Sequence, residues 1–122
     1  MMEIIRNKPA NFSVISGDDS LTLPIMALGG AGVISVTANA FPKQFAEMMK
    51  LCKSGKYKDA ATIHYNLLPI MNALFEEGSP SGVKAALETL GLCGNNPRLP
   101  LVKVSKQLHN KINNLILDIN EA

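Results

Sequence analysis

The sequence predicts an α/β fold in which a β-α-β-α unit is followed by a layer of helices. Two short runs of β-prone residues, 12–16 and 32–36, flank one short helical segment. Beyond residue 42 no convincing strand follows, and the apolar residues recur at helical spacing. Because parallel neighbours cannot be joined by a hairpin, the helical connection predicts that the two strands run parallel.

The composition is that of a globular chain of single-domain size. Of its 122 residues, 47% are hydrophobic and 18% are charged, and the formal net charge is only +2. The small charge argues against nucleic-acid binding, and no apolar run reaches the roughly 18 residues of a membrane span. The first nine residues have no apolar signal-peptide core, so we expect a cytoplasmic protein. Cys52 and Cys93 lack any paired spacing, so neither a disulfide nor a zinc site is expected.

Local signals mark the elements of the first part of the chain. After the first strand, Pro24 lies in the first turn of a helix, where its missing N–H costs little, and Gly29 suits the left-handed residue that closes that helix. The second strand follows at once. Pro42 then opens another helix, which ends at residues 54–55.

The second part of the chain reads as helices joined by turn-rich loops. A long helix begins at Tyr57 and continues past Pro69, where we expect a kink because the apolar spacing persists on both sides. A shorter helix follows residues 76–82 and is closed by Gly91. The last helix has Ser105 as its predicted cap.

Three sequence motifs resemble one family. They are SGDD at residues 16–19, GGAGVISVTAN at residues 29–39 and RLP at residues 98–100. Together they are similar to the C-terminal part of the dihydrodipicolinate synthase family, and the resemblance runs in one register from about Phe12 almost to the end. The first two motifs resemble the synthase branch more than the related N-acetylneuraminate lyases.

The resemblance implies both a fold and a reaction. The strands would be the seventh and eighth of a (β/α)8 TIM barrel, with residues 1–54 forming the last two βα units and residues 55–122 a C-terminal helical domain. Members of the family condense pyruvate with aspartate semialdehyde in lysine biosynthesis, through a Schiff base on a lysine of the sixth strand, and no cofactor is expected. That lysine position is absent from this sequence, and a complete barrel needs about 250 residues. We therefore expect a fragment that is inactive alone, whether Met1 is a true start or the chain is truncated.

The candidate site lies where barrel enzymes bind ligands, at the carboxyl ends of the strands. The resemblance implies that the backbone of Gly17 helps to receive the aldehyde substrate and that the main chain of Ile34 lies beside pyruvate. Glycine suits the first role because a missing Cβ lets a ligand approach the backbone closely, and the Ile34 side chain remains free to pack in a barrel core. Asp18 is a further candidate at the rim. Either Asp19 or Ser20 is expected to cap the next helix.

The remaining titratable residues suggest no catalytic chemistry. Lys103 is the one lysine in an apolar run, and we expect its amine to reach the surface. His64 lies on the apolar stripe of the long helix and is expected to be packed and hydrogen-bonded, whereas His109 stands alone. No metal-ligand spacing is present.

Alternative functions and partners stay open at this point. The chain is either a lyase fragment, of the synthase or the N-acetylneuraminate lyase type, or a non-catalytic half-barrel whose helices bind a partner. Two barrel strands with open edges predict association, either with the missing N-terminal part of the barrel or with copies of the chain in a homo-oligomer. Neither a nucleic acid nor a membrane is an expected partner.

Overall fold

A computed structural model describes residues 1–121, which form six α-helices, one 3₁₀ helix and a two-stranded sheet. In chain order these are α1 (Met2–Asn7), β1 (Ile15–Ser16), α2 (Thr22–Ala27), β2 (Gly32–Val33), the 3₁₀ helix (Thr37–Asn39), α3 (Pro42–Lys53), α4 (Tyr57–Ala73), α5 (Ser81–Thr89) and α6 (Lys106–Glu121).

The two strands are parallel, as predicted, with Ile15 opposite Gly32 and Ser16 opposite Val33. Flanking backbone hydrogen bonds extend the ladder by one step at each end, from the Ala31 N–H to the Val14 carbonyl (2.8 Å) and from the Ile34 N–H to the Ser16 carbonyl (3.0 Å). The strands are shorter than the predicted runs 12–16 and 32–36, because the chain turns into the 3₁₀ helix soon after Ile34.

The predicted helix boundaries are largely confirmed. Gly29 follows α2 with φ of +96°, a left-handed conformation that favours glycine. Pro42 is the first residue of α3. The hydroxyl oxygen of Ser105 accepts a hydrogen bond from the Leu108 N–H at 3.2 Å, so it caps α6.

Helix α4 runs through Pro69 without ending there. Proline removes the hydrogen bond that its N–H would donate to the carbonyl of Tyr65. Both residues are exposed, so this side of the helix faces solvent and water can satisfy the freed carbonyl. The kink at Pro69 stays a prediction.

Helix α1 was not predicted from the sequence. None of its residues is buried, and its apolar residues form no covered face. Exposed side chains support it locally, with Arg6 3.5 Å from Glu3 and the Asn7 amide bonded to the Glu3 carbonyl at 2.9 Å. Hydrophobic periodicity therefore carried no signal for this helix.

One hydrophobic core extends from α2 to α6. Its largest fully buried apolar side chains are Met48, Leu67, Ile70, Met71, Leu74 and Ile112. Helix α5 approaches this core closely at Gly82, where an added Cβ would lie 2.2 Å from the Leu74 carbonyl oxygen. The core passes from α3 to α4 without a break, so the two predicted parts pack together, and their boundary at residues 54 and 55 stays a prediction.

No helix within residues 1–121 is both long enough and apolar enough to cross a membrane.

Candidate active-site edge at the strand ends

The structure brings together the two backbone positions that the resemblance singled out. Ser16 is opposite Val33, so the next residue of each strand, Gly17 and Ile34, lie beside one another at the carboxyl ends. Both residues are exposed, and Ile34 is 77% accessible. A Cβ added to Gly17 would meet no atom within 4 Å, so its backbone is open to a ligand.

The open face of the sheet is the one that a closed barrel would enclose. Side chains alternate between the two faces of a strand. Ser16 is only 1% exposed and Val33 packs against the helical core, so this face is covered by helices. Gly17 and Ile34 therefore lie on the uncovered face, together with Ile15, which is 49% exposed. In a barrel the helices cover the outside, so the uncovered face corresponds to the interior.

Asp19 connects the ends of the two strands. Its Oδ2 accepts hydrogen bonds from the Thr37 N–H (2.7 Å), the Thr37 hydroxyl (2.7 Å) and the Val36 N–H (3.1 Å). Both Asp19 and Thr37 are buried, with 2% and 0% of their surfaces exposed.

The expectation that Asp19 or Ser20 caps the following helix is wrong. Helix α2 begins after Leu21 and has no side-chain cap. The Asp19 carboxylate is already committed to Val36 and Thr37, 17 and 18 residues away. Sequence reasoning missed this link because a carboxylate that precedes a helix looks like a local cap, whereas its true partners lie beyond the end of β2, at the start of the 3₁₀ helix.

Asp18 lies at the exposed rim of the same edge. Its Oδ1 accepts hydrogen bonds from the Ser20 N–H at 2.8 Å and from the Ser20 hydroxyl at 2.7 Å. The Ser16 hydroxyl donates to the Asp18 carbonyl at 2.8 Å. These bonds fix the turn after β1, and a role of Asp18 toward substrate stays a prediction.

A cleft of about 350 Å³ opens beside this turn. One wall is the turn itself and the other is the C-terminal end of α4. Its lining residues are Asp18, Asp19, Ser20, Met71, Asn72, Phe75 and Glu76. The buried Oδ1 of Asp19 has no hydrogen-bond partner within residues 1–121.

The other titratable residues lie away from the strand ends or in structural contacts. Lys103 is exposed, as expected. His64 is packed in the core, and burial lowers the pKa of its imidazole below the ordinary value of 6.5. The expected hydrogen bond is missing at its Nδ1, which is buried without a partner in the described part of the chain.

His109 does not stand alone, because its Nε2 lies 3.1 Å from Oε2 of Glu88. This contact lowers the pKa of the Glu88 carboxyl below its usual value. The pair joins α5 to α6, so its function in the fold is structural. Over residues 1–121, no three His, Cys, Asp or Glu side chains are grouped so that they could hold a metal ion.

Comparison with known proteins identifies related sequences. The model of the dihydrodipicolinate synthetase family matches residues 1–119. The 4-hydroxy-tetrahydrodipicolinate synthase of Phocaeicola vulgatus is 52% identical over 102 residues, which are 84% of this chain and 34% of the relative. The synthase of Methanocaldococcus jannaschii is 46% identical over 110 residues, 90% of this chain and 38% of the relative.

Solved structures agree with the sequence comparison. The dihydrodipicolinate synthase of Aquifex aeolicus superimposes with a TM-score of 0.93 at 42% identity, over 98% of this chain and 41% of that one. The enzyme of Thermotoga maritima gives a TM-score of 0.92 at 34% identity, and the match covers 100% of this chain and 44% of that enzyme. This chain spans 34% to 40% of the length of the first relatives that it matches. The chain belongs to the dihydrodipicolinate synthetase family.

Proposed function

We propose that this chain provides the seventh and eighth βα units and the C-terminal helical domain of a (β/α)8 lyase. Residues 1–54 contribute to the barrel and residues 55–122 form the helical domain. One observation carries the proposal: 98% of this chain superimposes on the Aquifex aeolicus synthase, with 42% sequence identity. The superposition covers 41% of the length of that synthase. The complete lyase condenses pyruvate with aspartate semialdehyde.

In this proposal the two strand ends contact the two substrates. The Gly17 backbone receives the aldehyde, the Ile34 main chain lies beside pyruvate, and Asp18 forms part of the rim. Support comes from the register, which places Gly17 beside Ile34, and from the exposure of both on the face that a barrel would enclose. A backbone contact at Ile34 leaves its side chain free to pack in the barrel core.

The reaction also needs an amine that this chain does not supply. A Schiff-base lysine must be desolvated or placed near another cation so that its free amine can attack pyruvate. Lys103 is exposed, and so are the lysines around the end of α3, namely Lys50, Lys53, Lys56 and Lys58. The proposed partner is therefore the N-terminal part of the barrel, which carries the lysine, and the complete protein is a homo-oligomer.

A cytoplasmic location belongs to the same proposal. It agrees with the observation that both cysteines are free.

The test is to supply the missing part of the barrel. The chain would be co-expressed with a polypeptide containing the first six βα units of the Phocaeicola vulgatus synthase, and condensation would be assayed for each part and for the mixture. We expect activity only in the mixture. Borohydride reduction with pyruvate should trap an adduct on the partner polypeptide, and an adduct on Lys103 or any other lysine of this chain would overturn the proposal. A stable complex without activity would favour the non-catalytic interaction module.

A further inference from the structure

We infer that Asp19 is a positioning residue that sets the distance between the Gly17 and Ile34 backbones, and so between the two substrates. The effect on the substrates rests on the proposed function, whereas the hydrogen bonds of Asp19 are observed independently of it. Asp19 does not lie on the uncovered face of the sheet. It acts through the residues that it holds.

The hydrogen bonds of Asp19 are placed symmetrically with respect to the two backbone positions. Asp19 is two residues beyond Gly17 in the segment that follows β1, and Val36 is two residues beyond Ile34 in the segment that follows β2. A single oxygen, Oδ2, holds the Val36 N–H at 3.1 Å and both donors of Thr37 at 2.7 Å. The Asp19 carboxylate therefore joins the two chain segments at the same distance in sequence, two residues, beyond Gly17 and beyond Ile34.

Backbone pairing alone does not hold these ends together. The last ladder hydrogen bond runs from the Ile34 N–H to the Ser16 carbonyl at 3.0 Å. Beyond it the chains separate, one toward α2 and the other into the 3₁₀ helix. The Asp19 carboxylate spans this gap in a buried setting, where hydrogen bonds to a charged group are strong and directional.

The two carboxylate oxygens of Asp19 differ in their hydrogen bonds, so two variants of this residue can separate their contributions. Oδ2 accepts three hydrogen bonds, whereas Oδ1 is buried without a partner in the described residues. Asp19→Asn can keep its carbonyl oxygen in the place of Oδ2 and put its amide nitrogen in the place of Oδ1. Asp19→Ala removes all three bonds. The asparagine variant should therefore preserve most of the positioning that the alanine variant loses.

Ser81→Ala is the matched control. The Ser81 hydroxyl donates to the Val102 carbonyl at 2.6 Å and the residue is 6% exposed, so the variant also removes a buried hydrogen bond. This bond joins the start of α5 to the loop before α6, away from the strand ends. A general loss of stability would affect Ser81→Ala and Asp19→Ala alike, whereas a loss of positioning would affect Asp19→Ala alone.

The first measurement is amide exchange in this chain, which needs no activity. We expect exchange at Val36 and Thr37 to be faster in Asp19→Ala than in the wild type and in Ser81→Ala, and to be largely restored in Asp19→Asn. Equal exchange in the wild type and in Asp19→Ala would overturn the inference. If Asp19→Ala fails to fold, Thr37→Val removes only the hydroxyl donor, and exchange of the backbone amides at positions 36 and 37 decides in the same way.

The second measurement is kinetic and uses a full-length chimera in which this chain replaces the matching part of the Phocaeicola vulgatus synthase. We expect Asp19→Ala to raise the KM for aspartate semialdehyde and the KM for pyruvate, each about 10-fold, because Asp19 holds the segments that follow both backbone positions and small misplacements of a bound reactant are costly. Asp19→Asn should lie near the wild type, and Ser81→Ala should leave both constants unchanged. A folded Asp19→Ala variant with wild-type constants would overturn the inference. An inactive wild-type chimera would instead count against the proposed function. The amide-exchange measurement would still test the inference about Asp19.

Discussion

At the scale of single residues, Gly17 offers a test that separates function from stability. Because a Cβ at this position would touch nothing within 4 Å, the fold of this chain accepts a larger residue. In the chimera, Gly17→Val should raise the KM for the aldehyde about 10-fold by blocking the approach to the backbone, with little change in the melting temperature. Steady-state kinetics and thermal unfolding measure the two effects.

Gly30 is the control for that experiment. An added Cβ would lie 2.5 Å from Cγ2 of Ile25 and 2.8 Å from its carbonyl oxygen. Gly30→Ala should therefore destabilise the fold by about 1–3 kcal/mol through overpacking. An unchanged aldehyde KM in Gly17→Val would refute the assignment of the aldehyde to the Gly17 backbone.

His64 gives the chain a predictable response to pH. Burial lowers its pKa below 6.5 in the folded state, while the unfolded chain takes up a proton near that ordinary value. The unfolded state therefore binds more protons as the pH falls below about 6.5, and the free energy of unfolding decreases. Denaturant midpoints should be lower at about pH 5.5 than at about pH 7.5.

His64→Leu should remove most of this dependence, because leucine fills a similar buried space without titrating. His109→Gln is the control, since His109 lies at the surface against Glu88, and the drop in midpoint should persist there. A drop of full size in His64→Leu would show that another group titrates on unfolding.

At the scale of elements, the start of α6 depends on a carboxylate from a distant turn. Oε2 of Glu77 accepts a hydrogen bond from the Ser105 N–H at 2.7 Å, and Oε1 accepts from the Ser105 hydroxyl. These bonds lower the pKa of Glu77 below its ordinary value. The stabilisation is thus present above the ordinary pKa of 4.5 and is lost as the pH falls from there through the lowered pKa of the folded state.

Glu77→Gln should lower the melting temperature at neutral pH and reduce its sensitivity to acid. Glu76→Gln provides the comparison, because Glu76 makes an exposed ion pair with Lys111 at 2.6 Å, and exposed pairs contribute little. Circular dichroism melts of both variants would check this. An equal loss in the two variants would mean that the Glu77 contact to Ser105 has no special role.

The sequence predicted the helical elements better than the strands, for a physical reason. Helix ends are encoded within a turn of the residues that form them, as at Gly29, Pro42 and Ser105, so single residues reveal them. The ends of the strands depend on a partner far along the chain, and the Asp19 carboxylate binds the N–H of Val36, the last residue of the predicted run 32–36, beyond the end of β2.

The candidate site likewise has one part that the sequence predicted and one part that it did not. Gly17 and Ile34 came from motif resemblance, and the register then placed them side by side. Their juxtaposition agrees with the expectation that the carboxyl ends of parallel strands meet at one edge of the sheet. The buried bridge from Asp19 to Thr37 could not be read from spacing, because nothing local distinguishes this carboxylate from a helix cap.

At the scale of the whole molecule, the sheet lacks neighbours on both sides. Its two strands pair only with one another within residues 1–121. Along the outer side of β2, a groove of about 550 Å³ runs between the strand and α3, and Val33, Phe45 and Met49 contribute apolar lining. In a closed barrel the strand that follows the eighth is the first. The groove is therefore where we expect the first βα unit of the missing barrel part to pack.

Open strand edges and an uncovered apolar face predict that the isolated chain associates. An unpaired backbone donor in an apolar setting costs about 1–3 kcal/mol, against about 5–15 kcal/mol of total stability for a typical domain. The chain should pair its edges with its own copies or with the missing part of the barrel, while the helices from Pro42 onward keep their core. Size exclusion with light scattering at several concentrations should show species above 13.1 kDa.

Two lysine substitutions locate the surface responsible for this association. Ile15→Lys puts a charge on the uncovered face of the sheet, where Ile15 is 49% exposed, and should shift the chain toward monomer. Leu117→Lys changes a residue of α6 that is 60% exposed and should leave the association unchanged. A wild-type monomer of constant mass with cooperative unfolding would show that the open edges are satisfied within the chain. If Leu117→Lys alone dissociated the oligomer, the interface would lie on the helical layer and not on the sheet.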